Sequence, residues 1–182
     1  MKEIVYKGKI TAIEQEHVQI KNKKKIFEKA FRSPGVRAII DNGKEILLSK
    51  EYRHELGGFD WRLPGGKVFD TLTEYLLHKE KDILPYAEQA TIQECKEEIG
   101  ITVRNPKYFD KTSPGATIEW ILYYFVITEF EGKHENQYTE EGEQTRPKWI
   151  SYETIKAWCM NKTIQEEATA IQLLRYLAQK NP

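Results

Sequence analysis

The chain has 182 residues, of which 40% are hydrophobic and 12% aromatic, and its 28 basic residues balance its 28 acidic residues. This length is typical of one large domain or one domain with a small appendage, and the apolar content is enough for a sizeable core. The balanced charge argues against binding of nucleic acid or of an anionic membrane by the surface as a whole. The sequence predicts neither secretion nor a membrane span, because it has no signal-peptide core and no apolar run of about eighteen residues.

The two cysteines of the sequence, Cys95 and Cys159, form no CxxC pair and no zinc-binding pattern. They predict two reduced thiols in a cytoplasmic protein, because disulfides are rare in that compartment. The histidines show no metal-ligand spacing, so none is assigned a role.

Short strand-like segments fill residues 1–33 and are interrupted by a lysine-rich turn at residues 21–25. The lysines indicate a solvated hairpin tip, since turns are polar, although a contact with phosphate stays open. Ser33-Pro34-Gly35 then breaks the chain. The sequence therefore predicts a small N-terminal antiparallel β subdomain over residues 1–33 and a main domain over residues 34–182.

Two features predict strands in the main domain. Asp41-Asn42-Gly43 stands between the apolar runs 36–40 and 45–49, which predicts a β-hairpin with a type I′ turn. Residues 118–130 are apolar almost without alternation, which is typical of a strand covered on both faces.

The stretch from Leu63 to Ile101 carries the clearest functional signals. It opens with a tight turn at Leu63-Pro64-Gly65-Gly66 and closes at Gly100, which is placed to end a helix in the left-handed conformation. Within that helix the apolar residues Ile92, Cys95 and Ile99 recur with helical spacing, so we expect them to face the core.

Three carboxylates occupy the same helix. Glu94, Glu97 and Glu98 are spaced i, i+3, i+4, which puts them on the face opposite the apolar residues within one turn. Like charges at this spacing repel, and a hard divalent cation such as Mg²⁺ or Mn²⁺ offsets the repulsion by taking oxygen ligands. From these residues alone, the alternative is a solvated acidic helix face, which is common.

Together these residues resemble the Nudix box, G-x5-E-x7-R-E-U-x-E-E-x-G-U, in which U is an aliphatic residue. Gly66 matches the first glycine, and the segment from Glu94 to Ile101 matches the end of the pattern, with Cys95 at the first aliphatic position. The resemblance implies an α+β fold, a Nudix α/β/α sandwich around a mixed sheet. It also implies Mg²⁺-dependent hydrolysis, with Mn²⁺ as the alternative ion, of nucleoside diphosphates linked to another group.

The match has two departures. Gln93 stands where the pattern has Arg and Pro85 where it has the early Glu, a pair that braces the loop against the helix in the family. Losing both leaves no charge unpaired. The second departure is an insertion, residues 67–87, in which Thr71 or Thr73 caps a short predicted helix and Leu84-Pro85 stops it. This insertion forms either a lid over the site or part of a dimer surface.

Other segments resemble the ADP-ribose pyrophosphatase branch of the family. In chain order they are Arg32-Ser33-Pro34-Gly35, Glu51-Tyr52-Arg53, Arg62-Leu63-Pro64-Gly65-Gly66, Ser113-Pro114-Gly115 followed by Glu119, and the acidic segment from Glu140 to Trp149. Arg62 stands where the branch has an acid beside the site, which leaves the substrate preference open. The branch is typically homodimeric, with the N-terminal sheet crossing to the partner, so the resemblance implies a homodimer.

The resemblance assigns metal binding to Glu94 and Glu98, with Glu97 in support and the carbonyl group of Gly65 as a backbone ligand. Divalent metals neutralise a pyrophosphate and activate water for in-line attack.

The general base of the branch comes from the acidic loop before the Trp strand. This position corresponds to Glu143, with Glu140 and Glu141 as rivals. A flexible acidic surface segment is the alternative for each of the three.

The predicted substrate-binding residues are Arg53, Phe27, Arg32, Gly66 and Glu119. Arg53 is the candidate phosphate clamp because a guanidinium group matches phosphate bidentately, and a structural ion pair is its alternative. Phe27 is a candidate for stacking on a base, with packing in the core as its alternative.

The sequence is compatible with three functions. The first is hydrolysis of ADP-ribose or a related nucleoside diphosphate sugar to AMP and a sugar phosphate. The second is hydrolysis of another linked nucleoside diphosphate or of a nucleoside triphosphate. The third is a non-catalytic nucleotide-binding module, motivated by Gln93 and the missing early Glu.

Overall fold

The structure is a computed structural model that describes residues 2–132 and 146–180. The strands are β1 (Lys2–Lys7), β2 (Thr11–Ile20), β3 (Lys23–Arg32), β4 (Gly35–Ile40), β5 (Glu45–Arg53), β6 (Gly58–Arg62), β7 (Thr102–Val103), β8 (Lys107–Thr112), β9 (Ile118–Glu119), β10 (Leu122–Ile127), β11 (Phe130–Glu131) and β12 (Arg146–Ser151). The α-helices are α1 (Leu72–His78), α2 (Leu84–Ile99), α3 (Tyr152–Met160) and α4 (Glu167–Lys180). No helix in these ranges is both long enough and apolar enough to cross a membrane.

Two small sheets form the centre of the main domain. In the first, β10 lies between β4, to which it is parallel, and β8, to which it is antiparallel. In the second, β5 lies between β12 and β6 and is antiparallel to both. The predicted α+β fold with a mixed sheet is therefore confirmed.

Strand β4 is buried along its whole length because helices cover both of its faces. Ile39 belongs to a core that also contains Ile155 of α3 and Leu173 of α4. Its neighbours Ala38 and Ile40 point the other way, into a core with residues of α2. This alternation follows from the two-residue period of a strand and produces the sandwich of helices around the sheets.

The predicted hairpin around Asp41-Asn42-Gly43 is wrong. β4 and β5 follow each other in the chain, but they belong to different sheets and are joined by a single bridge between Asp41 and Ile46. The Asp41 side chain is buried and accepts hydrogen bonds from Gly43 N–H and from the hydroxyl groups of Tyr152 and Tyr176. The chain does turn here, since Asn42 N–H donates to the Glu45 carbonyl oxygen at 3.1 Å, but β4 and β5 continue into different sheets and form no ladder with each other.

The N-terminal strands form the expected antiparallel sheet, in the order β1-β2-β3. The short strand β9 from the main part of the chain extends it, pairing in parallel with Ala30 and Phe31 of β3. Phe31 is buried, whereas Phe27 is 51% exposed, so packing in the core fits Phe31 and does not fit Phe27. The domain boundary at residue 33 stays a prediction.

The insertion and the helix after it are helical. Thr71 caps α1 as predicted, since its side chain accepts a hydrogen bond from Glu74 N–H. Leu84-Pro85 does not stop α1, which has already ended at His78; it opens α2. Proline suits that position because the first turn of a helix needs no N–H donors.

Helix α2 ends as predicted, with Gly100 in the left-handed conformation at φ 72°. Its predicted core face is partly wrong, because Ile92 is 38% exposed while Thr91, Cys95 and Ile99 are buried. Residues 91, 95 and 99 lie four apart and form one stripe, and Ile92 lies at the edge of that stripe, about 60° from its centre.

Candidate active site

Strand β4 fixes the turn at Leu63-Pro64-Gly65-Gly66. Val36 N–H donates to the Gly66 carbonyl oxygen at 2.9 Å, and Ala38 N–H donates to the Pro64 carbonyl oxygen at 2.8 Å. Gly65 has φ 150°, and a Cβ atom there would lie 2.1 Å from the Val36 carbonyl oxygen. Only glycine fits at position 65, because the turn and the strand touch through their backbones.

Helix α2 brings two carboxylates to this turn. Gly65 N–H donates to Oε2 of Glu98 at 2.9 Å, and Lys67 N–H donates to the carboxylate of Glu94. A Cβ atom on Gly66 would lie 1.9 Å from Oε1 of Glu94, so the absence of a side chain makes room for that carboxylate. The structure therefore brings together Gly65, Gly66, Glu94 and Glu98, which the sequence had selected.

Both carboxylates sit in surroundings that disfavour their charge. Burial, followed by the negative charge of Glu51, raises the pKa of Glu98 to about 8. Burial, followed by the charge of Glu97, raises the pKa of Glu94. A cation between these groups would relieve both effects, and paired carboxylate oxygens suit Mg²⁺ or Mn²⁺.

Glu97 is placed differently from its two neighbours. It is exposed, and its Oε1 accepts a hydrogen bond from Nε2 of Gln93 at 2.9 Å. Gln93 thus contacts an acid of the same helix, where the family pattern has an arginine. Within residues 2–132 and 146–180, no three His, Cys, Asp or Glu side chains form a group that could hold a metal ion. Glu94 and Glu98 on the Gly65 turn are the oxygen donors that fit a divalent ion best.

The sequence analysis assigned no role to Glu51 of β5, yet its carboxylate acts electrostatically on Glu98. Its charge contributes most, after burial, to the raised pKa of Glu98. Burial also raises the pKa of Glu51 itself, against the opposing charges of Arg37 and Arg53. Glu51 could have been noticed in the sequence, because it stands at the first position of Glu51-Tyr52-Arg53, where the ADP-ribose pyrophosphatase branch has Gln.

Arg32 has a buried nitrogen atom that lacks a hydrogen-bond partner among the described residues. Its guanidinium lies over the ring of Trp120, 4.6 Å from the centroid, and its Nε atom is buried without a hydrogen-bond partner in the described structure. Burial and the charges of Arg37 and Arg53 lower the pKa of Arg32. A buried, unpaired donor that other guanidinium groups repel suits an anionic ligand.

The other predicted substrate-binding residues are partnered or exposed. Nε of Arg53 donates to Glu55 at 2.9 Å, and the same guanidinium lies 3.7 Å from Glu51, which is the structural alternative to a phosphate clamp. Glu119 pairs with Lys29 at 3.0 Å beside the N-terminal sheet. Phe27 is exposed on β3. Their roles in binding stay predictions.

The predicted general bases Glu140, Glu141 and Glu143 lie outside the described residues, and their assignment stays a prediction.

A buried ion-pair network behind the turn was missed by sequence reasoning. Glu166, just before α4, accepts hydrogen bonds from Arg37 and Arg62, and Nε of Arg62 donates to Asp60 at 2.6 Å. Burial alone would raise the pKa of Glu166, but Arg37 and Arg62 lower it to about 2. Position 62 is an acid in the ADP-ribose pyrophosphatase branch and an arginine here, and this arginine pairs with two carboxylates, those of Asp60 and Glu166. No sequence motif indicated this network, because Glu166 is more than 100 residues from Arg37 and Arg62 in the chain.

Comparison with known proteins identifies the family of this chain. Residues 31–171 match the profile of the family described as NUDIX domain. The match covers most of the chain, so the protein belongs to the NUDIX family and is a Nudix-type hydrolase. The predictions of family, fold class and enzyme class are confirmed.

Individual proteins similar to this chain include an ADP-ribose pyrophosphatase and two hydrolases of known structure. An ADP-ribose pyrophosphatase of Bacillus subtilis (strain 168) is 26% identical over 184 residues, which span 98% of this chain and 91% of that protein. A crystal structure of an ADP compounds hydrolase aligns with a TM-score of 0.70 at 15% identity, over 100% of this chain and 94% of that chain. A MutT NUDIX hydrolase from Burkholderia pseudomallei aligns with a TM-score of 0.50 at 22% identity, over 66% of this chain and 84% of that chain. At these identities the two crystal structures support the fold alone.

Proposed function

We propose that the protein hydrolyses the pyrophosphate bond of ADP-ribose or a related nucleoside diphosphate sugar, with Mg²⁺ as its metal and Mn²⁺ as a substitute. Water attacks one phosphorus atom, the bridging P–O bond breaks, and the products are AMP and a sugar phosphate. The observation that carries this proposal is the pair of carboxylates, Glu94 and Glu98, held on the Gly65-Gly66 turn. The similarity to an ADP-ribose pyrophosphatase over nearly the whole chain supports the substrate class.

Each residue of the site has a proposed role. Glu94 and Glu98 would hold the metal, with the carbonyl group of Gly65 as the predicted backbone ligand and Glu97 in support. When bound, the metal supplies charge neutralisation and a more acidic water. Arg32 would donate to a phosphate oxygen; its buried Nε, which has no hydrogen-bond partner among the described residues, supports this role. Glu143, with Glu140 and Glu141 as rivals, remains the proposed base that takes the proton of the attacking water.

We further propose a homodimer formed through the N-terminal sheet, in the cytoplasm. The sheet exposes large apolar side chains, including Ile4, Tyr6 and Ile26, each at least 44% exposed. Such a surface is expected to be covered in solution. The free, buried thiols of Cys95 and Cys159 fit a reducing compartment.

The assembly is tested by measuring the mass of the protein in solution by light scattering. Ile26→Lys should convert the dimer to a monomer. Ile171→Lys is the control, at an isoleucine on α4 that is 44% exposed against 55% for Ile26, and it should leave the protein dimeric. A monomeric wild-type protein would contradict this part of the proposal.

A second candidate function is hydrolysis of another linked nucleoside diphosphate or of a nucleoside triphosphate. The observation that favours it is Arg62, which stands where the branch carries an acid. A non-catalytic binding module is disfavoured, because the carboxylates Glu94 and Glu98 keep their places on the turn.

The activity is tested by incubating the protein with ADP-ribose, other nucleoside diphosphate sugars and nucleoside triphosphates, with Mg²⁺, with Mn²⁺ or with a chelator. Chromatography should show metal-dependent release of AMP from ADP-ribose at a higher kcat/KM than from the other compounds. Preferential turnover of a nucleoside triphosphate would replace the substrate class and keep the reaction. Nucleotide binding without turnover at either metal would favour the binding module.

A further inference from the structure

The insertion builds a cavity beside the candidate metal-binding turn. The cavity has a volume of about 270 Å³ and lies between residues 67–78 and helix α2. Glu94 and Glu97 are part of its wall, and Glu94 is also the carboxylate held against Gly66. The cavity therefore adjoins the place where the pyrophosphate is proposed to react.

The wall of this cavity is packed and not loose. Phe69, Leu72 and Tyr75 of the insertion are buried in a core cluster that also contains Phe31 of β3 and Phe125 of β10. A segment anchored in this way is rigid, so a ligand would lose little free energy to ordering it. The insertion is thus a preformed wall of the site. The sequence had not distinguished between a lid over the site and part of a dimer surface.

The polar lining of the cavity is rich in hydrogen-bond acceptors. Asp70, Glu74 and Glu97 contribute carboxylates. Nδ1 of His78 lies 3.0 Å from the carbonyl oxygen of Glu74, so Nδ1 carries the proton and Nε2 is an acceptor in the neutral ring. Lys67 donates, and the amides of Gln89 and Gln93 both donate and accept. This lining suits a ligand with several hydroxyl groups, and its carboxylates disfavour a second phosphate.

The shape of the aromatic part argues against a nucleobase. The rings of His78 and Tyr86 meet at 65°, and His78 is stacked on Phe69 at 20°. The rings of Phe69, His78 and Tyr86 stack on or tilt against one another, so they form no parallel-sided slot for a planar base. The volume is also below the roughly 300–1,000 Å³ of pockets that hold a whole drug-sized ligand, so one small ring fits better than a nucleoside.

We propose that this cavity, the insertion subsite, receives the sugar that a nucleoside diphosphate sugar carries beyond its pyrophosphate. The inference rests on the proposed function and deepens it, because it makes the insertion of this chain a determinant of substrate choice. Carboxylates and His78 accept hydrogen bonds from the sugar hydroxyl groups while the pyrophosphate lies at the Glu94–Glu98 turn.

The test blocks the cavity from a surface position. Gln89 lines it and is exposed on α2, so Gln89→Trp fills it without disturbing the core. Glu88→Trp is the matched control, because Glu88 is exposed on the same helix and does not line the cavity. Steady-state kinetics use two substrates with Mg²⁺: ADP-ribose, and the β-methyl ester of ADP, which has the same nucleoside and pyrophosphate and no sugar beyond them.

Gln89→Trp should raise KM for ADP-ribose roughly tenfold or more, the loss of about one net hydrogen bond, and leave the methyl ester unaffected. Glu88→Trp should change neither substrate. If Gln89→Trp weakens both substrates equally, or weakens neither while the wild type is active, the subsite is overturned. A wild type inactive on both substrates counts against the proposed function instead.

A binding measurement tests the subsite even in an inactive protein. Calorimetric titration with ribose 5-phosphate and with AMP, each in Mg²⁺, should show that Gln89→Trp loses affinity for ribose 5-phosphate and keeps its affinity for AMP. The reverse pattern would assign the cavity to the nucleoside and overturn the proposal. Equal affinities of the variant and the wild type for both ligands would also overturn it.

Discussion

Nη1 of Arg62 lies 2.6 Å from Oε1 of Glu166, and the same carboxylate accepts hydrogen bonds from Nε and Nη2 of Arg37. The three side chains are only 10–11% exposed. Arg37 stands between Val36 and Ala38, whose N–H groups hold the Gly65-Gly66 turn. One carboxylate near the C-terminal helix therefore supports the strand on which the candidate active site rests.

Glu166→Gln should destabilise the protein by about 3–5 kcal/mol, because it leaves two buried guanidinium groups without their shared carboxylate. Urea denaturation followed by tryptophan fluorescence measures the change. Glu167→Gln is the matched control, since that side chain is 87% exposed and should change the free energy of unfolding by less than about 0.5 kcal/mol. Equal stability of the two variants would show that the network contributes little.

Glu98→Gln should lower metal-dependent hydrolysis by about 100-fold or more, because a catalytic metal contributes several kcal/mol to the reaction. The amide keeps the shape of the side chain and removes the charge that would hold the ion. The rate at saturating Mg²⁺ and the Mg²⁺ concentration for half-maximal rate are the measurements. Glu88→Gln, an exposed glutamate on the same helix, should match the wild type. Full activity of Glu98→Gln would remove Glu98 from the metal site.

The metal-free protein should lose stability as the pH rises. Burial and the charge of Glu51 raise the pKa of Glu98 to about 8, against roughly 4.3 for an unperturbed glutamate. The folded state then binds this proton more tightly than the unfolded state. Its stabilisation is complete below the unfolded pKa and is lost as the pH rises through the folded pKa, a change on the order of a few kcal/mol.

Urea denaturation at pH 6, 7 and 8, with a chelator and with Mg²⁺, measures this dependence. Mg²⁺ should stabilise the protein more at pH 8 than at pH 6, because the ion displaces the proton. Glu98→Gln removes the titrating group and should flatten the dependence. If the variant and the wild type lose stability in parallel over this range, the dependence arises elsewhere.

Gly66→Ala should impair the site without unfolding the protein, because the new Cβ atom would lie 1.9 Å from Oε1 of Glu94. The carboxylate has to move, so we expect about a tenfold or greater loss of kcat/KM and weaker Mg²⁺ dependence. Gly58→Ala is the control, since its nearest neighbour would be 3.9 Å away. Unchanged kinetics in Gly66→Ala would show that the position of Glu94 does not matter for turnover.

Local patterns predicted the C-terminal part of helix α2 well. The apolar spacing and the position of Gly100 were enough to indicate a helix that ends in a left-handed cap, because those features depend only on helical geometry. The metal-binding role of Glu94 and Glu98 came from the family resemblance and stays a prediction. The same local reasoning misplaced Ile92, since a partly apolar surface does not by itself show which stripe meets the core. It also predicted a hairpin at Asp41-Asn42-Gly43, where the chain turns but β4 pairs with β10 and β5 pairs with β6 and β12.

The sequence by itself determined the family, the Gly65-Gly66 turn and the spacing of Glu94 and Glu98 on one helix, because motifs and helical periodicity record these features. Only the tertiary structure decided that Arg62 pairs with Glu166, that Glu51 lies close to Glu98, and that a cavity forms between the insertion and α2. The first two contacts join residues far apart in sequence, and the cavity depends on how two neighbouring segments pack. Their proximity is set by how the sheets and helices pack, and no periodicity or motif records it.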